Sequence, residues 1–338
     1  MASHDTYSKE QAASDRHNID MLDTARVAQH VVEDEFSQPG AIKVIAPAKV
    51  NLYLEIKDRR TDGYHNVNTI MHTLLLHDLL FMKLVPFTGE RVKLTVRSCE
   101  GVEPIGVPLE QNIVAKAINL LAQESELSSS FTVRVHLDKH IPSQAGLGGG
   151  SSDAAAALIG AMKLWNMSLE KDELISIAAE LGADVPFFLE GGCQRFVGKG
   201  DELAGKLSPL ASSVVVIKPA GGVSTSEAYR GFDQNPISVR KDVQERANAA
   251  TLATDVPLEN NMSASSQELL PDIGEIIEWA SGMDGVKRCQ MAGSGAAVFL
   301  ECPGIEESSQ IVAAARQKGW WARSTSYAPV RAMVMPRR

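Results

Sequence analysis

The stretch Ile141–Leu158, IPSQAGLGGGSSDAAAAL, sets four glycines within Gly146–Gly150, then Ser151 and Ser152, then four alanines from Ala154 to Ala157. Phe131–Leu137 before it alternates as a strand, and a helix is expected from about Ser152 to Trp165. A strand, a bare loop and a small-residue helix make a phosphate cradle. Glycines let backbone N–H groups approach oxygens with no β-carbon in the way, and the first helical turn adds unpaired donors and the positive end of its dipole. Ser151 and Ser152 offer hydroxyls to phosphate or to Mg²⁺. No lysine follows the glycines as a Walker A loop requires, and Ser151 stands where the dinucleotide fingerprint needs its last glycine, so an oxidoreductase reading is disfavoured. A tight strand-to-helix turn with no ligand is the bland alternative.

The chain has 338 residues, 44% of them apolar and 22% charged, with a net charge of −9, which suits a globular protein and argues against a general nucleic-acid binder. Cys99, Cys193, Cys289 and Cys302 share no CxxC spacing and read as isolated thiols of a reducing compartment, hence a cytoplasmic expectation. His136 and His140 flank a strand-like segment and make a poor metal pair. The apolar runs are too short for a membrane span. Residues 1–40 hold eight acidic and three basic side chains, fit neither a signal nor a transit peptide, and read as a mostly disordered extension.

From Ile42 the pattern is strand, broken at Pro47, through Ile56. A turn at Arg59–His65 has Asp62-Gly63 at its tip, and a second strand runs from Asn66 to Leu84. Arg91–Arg97 is strand-like. Asn112 is a candidate N-cap for a helix reaching Ala122. A helix over Leu169–Leu181 stops at Gly182, and Ala183–Gly192 reads as an apolar turn into a strand. Ser213–Lys218 is a buried strand. Residues 233–268 read as loop and short helix. A helix over Ile273–Ser281, a glycine turn feeding a strand over Cys289–Glu301, a helix over Glu306–Lys318 and a last strand near Ser326–Met335 complete the chain. Strands and helices interleave irregularly, which is α+β and not a doubly wound sheet.

Four stretches then carry a resemblance. They are APAKVNL (Ala46–Leu52), RTDGYH (Arg60–His65), AGLGGGSSDAA (Ala145–Ala155) with LGADVPF (Leu181–Phe187), and GVSTSEAY (Gly222–Tyr229); the turn MAGSG (Met291–Gly295) fits as well. With them the chain resembles the GHMP kinase superfamily over about residues 42–335. Within the superfamily the likeness is to kinases of non-mevalonate isoprenoid synthesis. Their reaction moves the terminal phosphoryl group of ATP to the 2-hydroxyl of a branched tetritol bearing a cytidine diphosphate. The resemblance implies two lobes with the active site in the cleft between them: an ATP-binding lobe over 41–200 that recovers a strand from about 324–335, and a C-terminal α/β-sandwich lobe over 201–323. ATP and Mg²⁺ are the implied cofactors and a cytidine-diphosphate small molecule the implied partner. No nucleic acid or membrane is implied, and the oligomeric state stays open.

Phosphoryl transfer to an alcohol needs a triphosphate cradle, positive charge on the moving oxygens, and a group to receive the hydroxyl proton. Asp184 lies among Val185, Pro186, Phe187 and Phe188, and Lys49 interrupts an apolar strand. Each is costly to bury alone, so the two are expected to pair. By the resemblance Asp184 is the base and Lys49 its partner; a purely structural ion pair is the alternative. The loop residues Pro142, Ala145, Gly146, Leu147, Gly148, Gly149, Gly150, Ser151 and Ser152 match the ATP site. Asn112 and Lys139 match its adenosine side, although helix capping explains Asn112 and a solvated strand end explains Lys139. Tyr64 and His65 match the grip on cytosine, with Tyr229 on the other face of the base, and Asn51 is expected beside the Lys49 pair. Gly293, Ser294 and Gly295 form a second glycine turn. Two departures stand out: Ala292 where the family has Thr, and Asn261-Met262 where it commonly has Asp-Leu. A mevalonate- or homoserine-type kinase and a non-catalytic nucleotide sensor on the same scaffold are the alternatives. The metal ligands are not fixed beyond Ser151 or Ser152.

Overall fold

The computed structural model describes residues 35–336, apart from 100, 105 and 125–129. The expectation of disorder for residues 1–40 therefore lies outside the described residues up to 34. Residues 35–40 are described and lie on the first sheet. Glu35 pairs with Lys83 at 3.0 Å and Arg134 at 2.8 Å, and Phe36 tilts onto Phe81 with ring centroids 6.0 Å apart.

Two sheets organise the fold. The first is built on a long antiparallel hairpin, β1 (Ile42–Arg59) and β2 (His65–Pro86), joined by the expected turn. Pro47 does not end β1. It removes one ladder donor, and the strand passes it with a register shift between Pro47 and Lys49. β3 (Val92–Ser98) runs parallel to β4 (Phe131–Lys139), and β4 is antiparallel to the far half of β2. The near half of β2 pairs instead with β5 (Cys193–Val197), which pairs with β6 (Glu202–Leu207).

Helices α1 (Ile113–Leu121), α2 (Gly149–Trp165), α3 (Lys171–Leu181) and α4 (Val185–Glu190) share one apolar core with β1, β2 and β4. Asn112 caps α1 as expected, its side chain accepting from the Val114 N–H at 2.9 Å. α2 is poor in long side chains because it lies hard against the sheet. Ala154–Ala157 are fully buried, and a β-carbon at Gly160 would come within 2.3 Å of Met82 Sδ.

The second sheet has the order β11 (Trp321–Ser326), β7 (Ser213–Lys218), β10 (Val298–Cys302), β9 (Arg288–Met291), all antiparallel. Its period-2 alternation divides its faces. Val214, Val216 and Phe299 pack with Val50, Leu52 and Ile70 of the first sheet. Val215, Ile217, Val298 and Leu300 pack with α8 (Asp272–Ser281) and α9 (Ile305–Gln317).

Several expectations need correction. α2 starts at Gly149, not Ser152, because Gly148 takes a left-handed conformation that turns the chain straight into the helix. Ala183–Gly192 is not a plain turn, since Val185–Glu190 closes one helical turn around buried Phe187 and Phe188. Residues 233–268 hold more helix than expected: the end of α5 (Thr225–Gln234), α6 (Lys241–Ala249) and α7 (Ser263–Leu269), with the short β8 (Glu259–Asn260) beside β1. The first sheet continues past residue 200 through β6. The last long strand, β11, completes the second sheet by pairing with β7, and only β12 (Met333–Val334) returns to β1.

Candidate active site

A cleft of about 670 Å³ opens between the sheets. The glycine loop walls one side. Lys49 and Asn51 of β1, Asp184 before α4, Tyr229 of α5 and the second glycine turn supply the rest.

The loop is tied to its surroundings on both flanks. The Lys49 N–H donates to the Leu147 carbonyl at 3.0 Å, and the N–H groups of Ala296 and Ala297 donate to the carbonyls of Gln144 and Ala145 at 2.9 and 3.1 Å. Contact here is backbone on backbone. At Gly148, with φ +69°, a β-carbon would meet Phe188 Cζ at 2.8 Å and Lys49 Cγ at 3.0 Å. The carbonyls hold the loop, which leaves its N–H groups and the N-terminus of α2, which no side chain caps, as the donors a phosphate could use.

Lys49 and Asp184 meet. Lys49 Nζ lies 3.5 Å from Asp184 Oδ2 and donates to Asn51 Oδ1 at 2.7 Å; Asn51 Nδ2 donates to Thr69 Oγ1 at 2.8 Å. The ammonium is buried, while the carboxylate side chain keeps 36% exposure and so reaches the cleft. Tyr229 stands close enough that Asp184, after the larger effect of burial, helps push its phenol up to about 12.

Gly293, Ser294 and Gly295 line the cleft beside the loop, packed backbone to backbone on Gly146. Asn260 holds this turn by donating to the carbonyls of Met291 at 3.1 Å and Gly293 at 2.8 Å. Asn261 accepts from the Ile56 N–H and donates to the carbonyls of Ile56 and Ile237, so its amide stitches the end of β1 to the chain before α6. Ala292 is buried, and its carbonyl lies where a β-carbon of Gly146 would be.

Two residues do not stand as expected. Lys139 is no solvated strand end. Its ammonium is buried between Asp78 and Asp153 beneath the loop, so it has no free charge for adenosine. Ser152 is fully buried, which leaves Ser151 as the serine of the pair that lines the cleft. His65 stacks directly on Tyr229, with centroids 5.2 Å and planes 29° apart. The imidazole is held there by Asp233, whose Oδ1 lies 2.7 Å from Nε2. Tyr64 is 62% exposed at the rim, its ring beneath the ammonium of Lys199 at 5.3 Å. Lys199 and Asn260 were missed by sequence reasoning. So was Asp78, although a carboxylate in the apolar run LLLHDLLF (Leu74–Phe81) is the same kind of signal that marks Lys49.

The model of the GHMP kinases N terminal domain matches residues 112–192, which hold β4, the loop and Asp184. A homoserine kinase from Cytophaga hutchinsonii superposes with a TM-score of 0.66 at 19% identity, covering 88% of this chain and 98% of that one, a likeness of fold. The fold is that of a GHMP kinase. The 4-diphosphocytidyl-2-C-methyl-D-erythritol kinase of Desulfitobacterium hafniense (strain Y51) is 36% identical over 294 residues, 84% of this chain and 96% of that protein. A solved 4-(cytidine 5'-diphospho)-2C-methyl-D-erythritol kinase superposes with a TM-score of 0.68 at 30% identity, over 85% of this chain and 100% of that one. The chain belongs to the 4-diphosphocytidyl-2-C-methyl-D-erythritol kinase family. No helix among the described residues is long and apolar enough to cross a membrane.

Proposed function

We propose that this chain transfers the terminal phosphoryl group of ATP to the 2-hydroxyl of 4-diphosphocytidyl-2-C-methyl-D-erythritol, with Lys49 and Asp184 at the reacting centre. What carries the reading is their approach to 3.5 Å inside a cleft walled by the glycine loop. The triphosphate lies along the loop N–H groups and the N-terminus of α2. Asp184 receives the proton as the acceptor oxygen bonds to phosphorus, the bond from phosphorus to the bridging oxygen breaks, and ADP leaves. The Lys49 ammonium offsets charge building on the transferred group, and Asn51 keeps it aimed there.

Mg²⁺ neutralises triphosphate charge. Bound with the nucleotide, it would lie beside Ser151, the serine of the loop that lines the cleft.

Three lysines line the cleft. Lys49 and Lys139 are engaged by Asp184, Asp78 and Asp153. Lys199, half exposed and 3.6 Å from Asp201 Oδ2, is the third, and it turns from that exposed pair to meet the acceptor's diphosphate. The cytosine then lies against the Tyr64 rim and the open face of Tyr229. His65 supports Tyr229 from behind and does not stack on the base itself.

The test is ADP release by the purified chain with ATP, Mg²⁺ and the cytidyl acceptor. Lys49→Ala and Asp184→Asn are expected to lower kcat by about 10²–10⁴-fold, the range for a positioned proton acceptor. Turnover equal to wild type in both variants would exclude the reading. So would phosphorylation of mevalonate or homoserine in preference to the cytidyl substrate.

A further inference from the structure

The second edge of β2 pairs with β5 through Thr69–His72 and with β4 through Leu79–Pro86, leaving a gap between. At that gap the chain leaves β4 to become the glycine loop, and there Asp78 stands, fully buried. One of its carboxylate oxygens accepts the N–H groups of His140 at 2.5 Å and Ile141 at 2.8 Å. The other meets the ammonium of Lys139, which donates in turn to Asp153 Oδ2 at 2.7 Å. Asp153 lies in α2, immediately beyond the glycines and serines. The cluster thus joins the last residue of β4 and the first two residues of the loop to the helix into which the loop runs.

We propose that Asp78 is a positioning residue for nucleotide binding: directly through the His140 and Ile141 N–H groups, and through Lys139 to α2, it fixes the span across which the glycine loop is stretched. This rests on the reading of the cleft as a nucleotide site. Loop amides grip phosphate well only when they already point at it, and a loop held at one end alone must be ordered on binding, which costs affinity. The two carboxylates are not equivalent. Asp78 receives three donors, which suits a buried anion balanced by one ammonium. Asp153 receives one, and its Oδ1 has no partner. Burial drives the Asp153 carboxyl well above its usual range, although Lys139 opposes that shift. An amide at Asp153 keeps the one acceptor that Lys139 uses and disturbs no second bond, since the other oxygen makes none. At position 78 an amide removes the counter-charge of Lys139 and brings N–H groups against it.

The experiment compares Asp78→Asn and Asp153→Asn in the full chain, by steady-state kinetics with both substrates and by calorimetric titration with ADP. Asp78→Asn is expected to weaken ADP binding and raise the KM for ATP at least tenfold, with the acceptor KM and kcat within about threefold of wild type; Asp153→Asn should shift each by less than threefold. If Asp78→Asn does not fold, Lys139→Gln cuts the same link and must give the same loss confined to ATP. Unchanged ADP affinity in the folded variant, or a loss of kcat with the ATP KM intact, overturns the inference, as does an Asp153→Asn effect equal to that of Asp78→Asn. A wild-type protein that binds no ADP would instead bring down the nucleotide reading itself, and this control is read before any variant.

Discussion

Gly146 has φ at +72°, and a β-carbon there would come within 1.8 Å of the Ala292 carbonyl oxygen. Neither condition can be relieved locally, because that carbonyl belongs to the second glycine turn, which Asn260 and Ser266 hold in place. Gly150 is the opposite case. It lies in the first turn of α2, its φ is not in the left-handed range, and a β-carbon there would meet only Ile113 Cγ2 at 4.0 Å. The two substitutions should therefore differ in sign. Gly146→Ala is expected to cost about 1–3 kcal/mol in backbone strain before the clash is counted. Gly150→Ala is expected to gain about 0.5–1 kcal/mol by restricting the unfolded chain. Thermal or urea unfolding of the two variants checks this; equal destabilisation would mean that the loop does not have the described backbone. The same scale explains why the base-binding residues were only half legible. The residue types Tyr64, His65 and Tyr229 were found, but sequence carries no sign that Asp233 would hold His65 flat against Tyr229.

At the scale of elements, legibility followed local pattern. β1, β2, β4, β7, α1, α3, α8 and α9 have a clear period or a cap, and each lies within a few residues of its expected place. α4 was read as a turn because five of its six residues are apolar and it follows Asp184 without a capping hydrogen bond. β11 was missed because Trp321–Ser326 owes its strand conformation to pairing with β7, which local sequence does not encode. Lys49 and Asp184 were legible as a pair because two charges in apolar surroundings must find each other. Lys139 was misplaced because its partners, Asp78 and Asp153, come from separate elements. The second glycine turn was recognised, but not what holds it. Asn260 of β8 donates to two of its carbonyls and accepts the Met262 N–H at 3.1 Å, so Asn260→Ala leaves these buried groups unmatched. We expect a loss of about 2 kcal/mol in stability and a weaker grip on the nucleotide, since the turn packs on Gly146. Unfolding curves superimposable on wild type would show that the turn does not depend on β8.

At the scale of the whole molecule, the two sheets face each other across a core that contains a buried polar thread. His72 of β2 accepts the Leu210 N–H at Nε2, 2.8 Å, and its Nδ1 lies 2.8 Å from the Thr73 carbonyl, which places the proton on Nδ1. Its ring packs on Tyr327 at 4.7 Å, the Tyr327 hydroxyl donates to Glu301 at 3.0 Å, and Glu301 takes a bidentate bond from Arg288. Both nitrogens of His72 are committed as a neutral ring, and protonating Nε2 would set it against the Leu210 N–H. Burial accordingly lowers the imidazole from its ordinary 6.5 to about 4. A depressed folded-state value means that the unfolded chain takes up the proton first. The stabilisation is therefore complete above about pH 6.5 and is lost progressively as the pH falls toward 4, by on the order of 3 kcal/mol in total. His72→Gln can keep a donor and an acceptor but cannot titrate. It should be less stable than wild type at pH 7, and its stability should fall less steeply between pH 6.5 and 4.5, so that the two curves converge. Denaturant unfolding at intervals across that window measures the difference; parallel curves would mean that His72 is not the group that ties the contact between the sheets to acidity.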